Sequence, residues 1–299
     1  MNLKKLFGGL LAAALFAGTG VFAQEAAGGS EKSEWTPDFE LKMSYESRYL
    51  SKGKVVNPKK MLFFDASVSL QGFYGGVWVA NDWNDYNEGA HVPGDGVGGV
   101  VGEPEEIDYY FGYGYTFEEI PVVDKLKLDF CVAYYDYPKR LGWDVVGEQQ
   151  WEYALSVNTG LFLEPGIKIC WDSENEAWYG NFNAGWGYNF KDEGCDALDF
   201  CTGLELWWGN SKFFDNGGRE ITFTTLCWNL EFDYKITDNI KIIPFATLAW
   251  ALNHNYRESW KDAQGWVITD DAEYFVRIPN PNAKKGVNTL YGIKLDFTF

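Results

Sequence analysis

The chain has 299 residues and a mass of 34.0 kDa, enough for one large domain or two ordinary ones. With 14 Trp, 18 Tyr and 22 Phe it is far too aromatic to be a disordered acidic chain. Its net charge of −18 argues against a nucleic-acid partner, which needs Lys and Arg in excess, and its mean hydropathy of −0.27 leaves no room for several apolar helices.

Residues 1–23 come first. Lys4 and Lys5 precede an apolar stretch from Leu6 to Val21, and Val21-Phe22-Ala23 resembles a small-residue cleavage site before Gln24. This three-part pattern predicts a cleaved secretory signal; Gly8, Gly9, Gly18 and Gly20 argue against a retained membrane helix. No Cys stands at the cleavage point to carry a lipid. Residues 24–37 read as a flexible leader, and 38–299 as the folded unit. After residue 23 no uncharged apolar run approaches a membrane helix in length. A soluble periplasmic protein and a membrane β-barrel both fit that absence, because barrel strands of about 9–11 residues alternate and escape hydropathy windows.

Alternation dominates the rest of the chain. Phe39, Leu41, Met43, Tyr45 and Tyr49 face one way, against Glu40, Lys42, Glu46 and Arg48. Leu62, Phe64, Ala66, Val68 and Leu70 oppose Phe63, Asp65, Ser67 and Ser69. Ile107 to Phe117 places Tyr and Phe on odd positions against Asp108, Gly112 and Gly114. Leu126, Leu128, Phe130, Val132 and Tyr134 oppose Lys127, Asp129, Cys131 and Ala133. The pattern predicts twelve strands, at 38–51, 60–71, 73–83, 105–117, 125–137, 149–162, 166–173, 177–190, 198–208, 219–235, 240–256 and 286–299. The run at 73–83 is apolar on both faces, and Gly75 and Gly76 suggest a bulge there. Linkers alternate between short turns and longer loops, the longest being 84–104 and 257–285; the short link at 172–176 falls out of step. An even strand number puts both termini on one side, as in a transmembrane antiparallel up-and-down barrel. The final run closes with Tyr291, Ile293, Leu295, Phe297 and the terminal Phe299, and resembles the signal by which barrel-assembly machinery recognises its clients.

Several stretches resemble the TorF-type porin family of bacterial outer-membrane barrels. Ser44-Tyr45-Glu46-Ser47-Arg48-Tyr49-Leu50-Ser51-Lys52-Gly53 is similar to its opening Y-x-x-R-Y-x-x-x-G stretch. Phe73-Tyr74-Gly75-Gly76-Val77-Trp78-Val79 resembles its G-x-Y-x-G-x-W, Glu106-Ile107-Asp108-Tyr109-Tyr110-Phe111-Gly112-Tyr113 its E-x-D-x-x-x-G-Y, and Tyr134-Tyr135-Asp136-Tyr137-Pro138 its Y-x-Y-P. The resemblance covers about residues 40–140. It implies an outer-membrane barrel with a transport role, and supplies neither substrate nor catalytic residues.

The side chains expected in the lumen are Glu40, Lys42, Glu46, Arg48, Lys127 and Asp129, with Glu231, Asp233, Lys294 and Asp296 on the later strands. An acidic excess there favours cations, since a passage of one sign concentrates counter-ions. Twelve strands lie between the filled eight-strand barrel and the open porin of sixteen or more. By parity Cys131, Cys170, Cys201 and Cys227 also point inward, and Cys195 falls in a turn. Folding the chain about residue 214 sets Cys201 opposite Cys227, a candidate disulfide or thiol pair.

Other chemistry finds little support. His91 lies in a loop. His254, Asn255 and Ser259 are neighbours, but a triad is defined by geometry. The acidic loop residues Asp82, Asp85, Glu88 and Asp95 miss the calcium-loop spacing, and no Cys or His spacing suits zinc. The reading is therefore a non-enzymatic, cofactor-free outer-membrane barrel. It passes small solutes or cations, with membrane lipids and the assembly machinery as partners. A structural or interaction barrel without a pore, and a soluble periplasmic β-sandwich, stand as alternatives. Trp78, Trp83, Trp208 and Trp250 are expected in interfacial aromatic belts.

Overall fold

The computed structural model describes residues 35–52, 54–57, 60–82, 106–136, 150–214, 221–252, 266–268, 275–277 and 287–299. The signal at 1–23, most of the leader, Trp83 at the expected end of the 73–83 strand, His91, and residues 254–259 lie outside them.

The strands, in chain order, are β1 (Asp38–Glu46), β2 (Tyr49–Ser51), β3 (Lys54–Asn57), β4 (Met61–Leu70), β5 (Phe73–Asp82), β6 (Glu106–Ile120), β7 (Asp124–Asp136) and β8 (Gln150–Thr159). They continue as β9 (Gly166–Asp172), β10 (Ala177–Asn189), β11 (Leu198–Gly209), β12 (Thr222–Thr237), β13 (Ile240–Ala251), β14 (Trp266–Ile268), β15 (Phe275–Arg277) and β16 (Val287–Thr298). Twelve of them close a barrel in which each pairs antiparallel with its neighbour in sequence, and β1 meets β16 at the seam. At the seam Phe299 N–H donates to Phe39 O at 2.9 Å, so the last residue completes the closure. The pairs β2–β3 and β14–β15 form separate hairpins. Each of the twelve barrel strands overlaps one of the twelve predicted runs, with shifted ends.

Two ends follow from the topology. Both termini and the short turns share one, here the terminal end; the long connections and the tight 173–176 turn share the other, the loop end. At the terminal end Gln71 and Gly72 turn β4 into β5 with φ of 51° and 85°. Positive φ at both central residues matches the right-handed strand twist, and a Cβ on Gly72 would collide with the Gly114 carbonyl. The turn from β6 to β7 strains Glu119, Val122 and Asp124 into positive φ and extends β6 to Ile120, past the expected end.

The outside of the barrel is apolar. Among the described residues 32 large hydrophobic side chains are exposed, far more than a water-soluble surface tolerates. The soluble β-sandwich is thereby set aside. Rings gather into two girdles. Near the loop end Tyr109, Tyr134 and Trp151 form a row with centroids 6.2 and 5.0 Å apart, beside the Trp171–Trp178 pair at 4.7 Å. Near the terminal end Phe200 meets Phe232 at 5.0 Å and Tyr115 meets Phe117 at 4.7 Å. Between them lie residues such as Val132, Leu155 and Leu204. An apolar band between aromatic girdles is what a bilayer and its two interfaces select.

Three expectations need correction. The register of β5 against β4 and β6 is unbroken, so Gly75 and Gly76 make no bulge. Trp78 is not in a girdle: it faces the lumen, 3% exposed, stacked on Phe63 at 5.1 Å. The first strand stops at Glu46 rather than running to 51. Ser47 makes its last bonds to Tyr291, and beyond that point the chain turns inward. Tyr49 then buries its ring against Phe63 and Trp78 at 5.2 and 5.6 Å. Tyr49–Ser51, expected to end the first strand, and Lys54–Asn57, expected in the linker after it, thus pair as a hairpin inside the barrel.

Candidate functional site: the barrel lumen

The lumen divides at the tip of that hairpin. In its terminal half, strand alternation sends charged side chains inward. Lys42 Nζ lies 2.7 Å from Glu40 Oε2, Lys294 Nζ 2.7 Å from Glu231 Oε1, and Lys241 Nζ 4.0 Å from Asp233 Oδ2. Lys294 also sits 4.6 Å above the Phe245 ring. Pairing register strings Asp65, Lys42, Asp296, Lys241 and Lys235 into one row across β4, β1, β16, β13 and β12. Tyr74 donates to Asp129 Oδ1 at 2.8 Å; its ring occupies space over Gly112 that a Cβ would take. Ser44 donates to Glu46 at 3.1 Å, and Lys127 stands opposite Thr116 and Asn158. Arg48 Nη1 donates to Asn288 Oδ1 at 2.8 Å, bracing the start of the inward turn. Asp233 Oδ1 and Asp296 Oδ1 are buried away from any protein donor.

The loop half is filled. Tyr49 OH donates to Glu106 Oε2 at 3.2 Å, while Leu50 packs into a cluster that includes Tyr110, Tyr135, Tyr179 and Trp207. Ser51 pairs with Lys54, and Lys52, next after Ser51, has φ of 52°. This conformation is costly for a non-glycine residue, and the tip's contacts hold it. Lys52 Nζ donates to Glu152 Oε2 at 2.5 Å and to Tyr135 OH at 3.1 Å; Tyr135 OH in turn donates to Glu152 at 2.9 Å. The ammonium also lies 4.3 Å from the Tyr135 ring centroid and 5.1 Å from that of Tyr179. From the opposite wall a single helical turn, Ser211–Phe214, stacks Phe213 on Tyr179 at 3.9 Å. What remains open beside the tip is a cavity of about 60 Å³, lined by Trp78, Asp108, Lys168 and Cys170 among others. A water needs about 10–15 Å³, so the space would admit a few waters and is too small for a drug-sized solute.

Glu106, Asp108, Glu152, Asp172 and Glu205 are all under 8% exposed in this half. Asp172 is spent on the 173–176 turn, accepting from the backbone of Glu174 and Asn175 and from the Asn175 side chain. Glu205 accepts from Trp207 and Asn229. Glu106, Asp108 and Glu152 remain grouped around the hairpin. Outside the membrane span, Lys212 hydrogen-bonds Glu176 and Lys235 hydrogen-bonds Asp238; the bond and the charge of each lysine pull its carboxyl partner below the usual range.

The thiols need a correction. Cys131, Cys170, Cys201 and Cys227 are buried lumen residues, and all five cysteines are free. Register places Cys201 opposite Glu231, and Cys227 opposite Glu205. Cys227 therefore sits four positions along β12 from the residue facing Cys201, about 13 Å at strand rise, beyond disulfide reach. The shift arises because the 210–221 connection carries its own helical turn and β12 begins only at Thr222, with a bulge at Trp207/Trp208.

The same parity that marked Glu40 and Asp129 also marks Glu106 and Glu152, which sequence reading had not singled out. Lys52 lay in a predicted link, where no period exists to read.

A closed antiparallel barrel with an apolar belt, two aromatic girdles and a charged interior has the architecture of a transmembrane β-barrel. Among solved structures it is similar to a KdgM porin, at TM-score 0.40 and 8% identity over 88% of this chain and 99% of that one. A KdgM porin in complex with disordered oligogalacturonate gives 0.41 and 9%, over the same shares of the two chains. Pseudomonas aeruginosa OprD gives 0.32 and 11%, over 90% of this chain and 68% of that one. No family model matches the chain, and no curated protein matches it.

Proposed function

We propose that this chain is a bacterial outer-membrane porin of narrow bore, exported by the signal at 1–23 and passing small solutes or ions with a preference for cations. The carrying observation is a lumen whose charged terminal half leads to a loop half occluded by a hairpin joined to the wall only at its ends. A hairpin covalently tied at both ends and held by a few side-chain bonds can move, whereas a barrel wall cannot. The cation preference is supported by the carboxyl groups around the constriction: Asp108 and Glu152 line the same cavity as Lys52 and Lys168, and Glu106 accepts from Tyr49 of the hairpin. The TorF-type resemblance over residues 40–140 supports the same class. Lipids of the outer membrane would contact the girdles, and the Phe299-terminated strand would present the assembly signal.

Planar-bilayer recording of the purified barrel tests this. The expected result is a small conductance whose reversal potential in a KCl gradient reports cation selectivity. Anion selectivity refutes the preference. Absence of current both in the native chain and in one with residues 49–57 replaced by a Gly-Ser linker establishes the second reading, a structural barrel. The packing of Leu50 and Phe213 across the lumen is the observation favouring it.

A further inference from the structure

The surroundings of the Lys52 ammonium are those of a ligand site. An exposed lysine at a hairpin tip has no need of a cage, yet this one enters a preformed set of groups suited to a primary ammonium. A carboxylate (Glu152) and a phenol oxygen (Tyr135) accept two of its N–H donors at 2.5 and 3.1 Å. Two ring faces, Tyr135 at 4.3 Å and Tyr179 at 5.1 Å, surround the charge. Glu152 and Tyr179 belong to barrel strands and are 4% and 0% exposed, so the cage is built into the wall and not into the hairpin. Independently, two oxygen atoms on residues lining the same cavity are buried with no protein partner: Asp108 Oδ1 and Tyr179 OH. Each can accept a hydrogen bond from an N–H donor in the cavity. With Lys52 withdrawn, the cavity lining holds three carboxyl groups (Glu46, Asp108, Glu152) against one lysine, Lys168.

We infer that this cage is a recognition site for solutes carrying a primary ammonium, and that Lys52 is a tethered occupant which a passing solute displaces. The inference rests on the porin reading and names the solute class for its constriction. An alkylammonium reproduces the lysine head and stem. A quaternary ammonium keeps the charge but has no N–H to give Glu152 and Tyr135. An anion meets the carboxyl groups.

The test uses the full barrel refolded in detergent micelles, with titration calorimetry of n-butylammonium chloride against KCl at matched ionic strength. Lys52→Ala vacates the cage and is expected to bind n-butylammonium at least about tenfold more tightly than the native chain does. Adding Glu152→Gln to that variant, or exchanging the probe for tetramethylammonium, is expected to lose at least about tenfold. Lys52→Ser replaces the alanine variant if heat-modifiable gel migration shows the latter unfolded. Equal affinity in native and variant barrels, or indifference to Glu152→Gln, overturns the site. Conductance of the same preparations separates the two readings. A barrel that conducts but ignores the amine overturns this site alone. One that binds the amine but never conducts keeps the site and removes the porin reading.

Discussion

The two halves of the lumen solve the burial of charge differently. In the terminal half Lys42 and Glu40 are 40% and 34% exposed at their side chains, the seam row alternates in sign from Asp65 through Lys42 and Asp296 to Lys241, and water does much of the solvation. In the loop half Lys52 and Glu152 are 20% and 5% exposed, walled by tyrosines and bordered by a small cavity. The same residue types therefore do different work. Pairs in the first half keep a wet passage from carrying one sign, and the pair in the second holds a plug in place.

Perturbing the plug should have the largest effect. Replacing residues 49–57 by a Gly-Ser linker is expected to raise single-channel conductance several-fold, whereas changes confined to the terminal half leave conductance within a factor of two. Equal effects from both would erase the distinction. Next comes stability, read as the urea midpoint of tryptophan fluorescence. Lys52→Ala strands Glu152 without its hairpin partner and is expected to cost about 3–5 kcal/mol, while Lys42→Ala costs about 0–1 kcal/mol. If Lys42→Ala cost as much as Lys52→Ala, the terminal half would be as dry as the loop half. Thiol chemistry draws the line more finely. Maleimide on the native barrel should label Cys195, half-exposed in its turn, and spare Cys131, Cys170, Cys201 and Cys227 until unfolding, as read by mass spectrometry. Oxidation should yield no Cys201–Cys227 bridge. The smallest effect belongs to the rim. Glu176, held below its usual range by Lys212, contributes only above the unfolded glutamate pKa, and loses that contribution as pH falls through its lower folded value. Both side chains are exposed, so the change in urea midpoint should be near detection and vanish in high salt.

Much of the barrel could be read from the chain because a two-residue period sustained over ten or more residues fixes both strand and facing. That is why a facing could be assigned to Glu231, Lys294 and Asp129 from the chain alone. The occlusion could not be read. A hairpin of three- and four-residue strands such as Tyr49–Ser51 and Lys54–Asn57 carries no period, and its inward course depends on where Phe63 and Trp78 stand across the lumen. Trp78 was misjudged for a related reason: with both faces of 73–83 apolar, composition does not tell a girdle from a core. The Cys201–Cys227 pairing failed because register across a twelve-residue connection depends on the structure of that connection.

The seam row bears on how the barrel closes. Lys42 and Lys241 both stand opposite Asp296, one on each side of the final strand. If β16 docked two residues out of step with β1, Lys42 would meet Lys294 and Glu40 would meet Asp296. The equivalent slip against β13 would set Lys241 on Lys294. Strand slippage by two preserves the inside–outside alternation, so hydrophobicity is blind to it. Charge is not, because opposed like charges repel. The closing strand thus carries its own alignment key, legible only when the ring is complete.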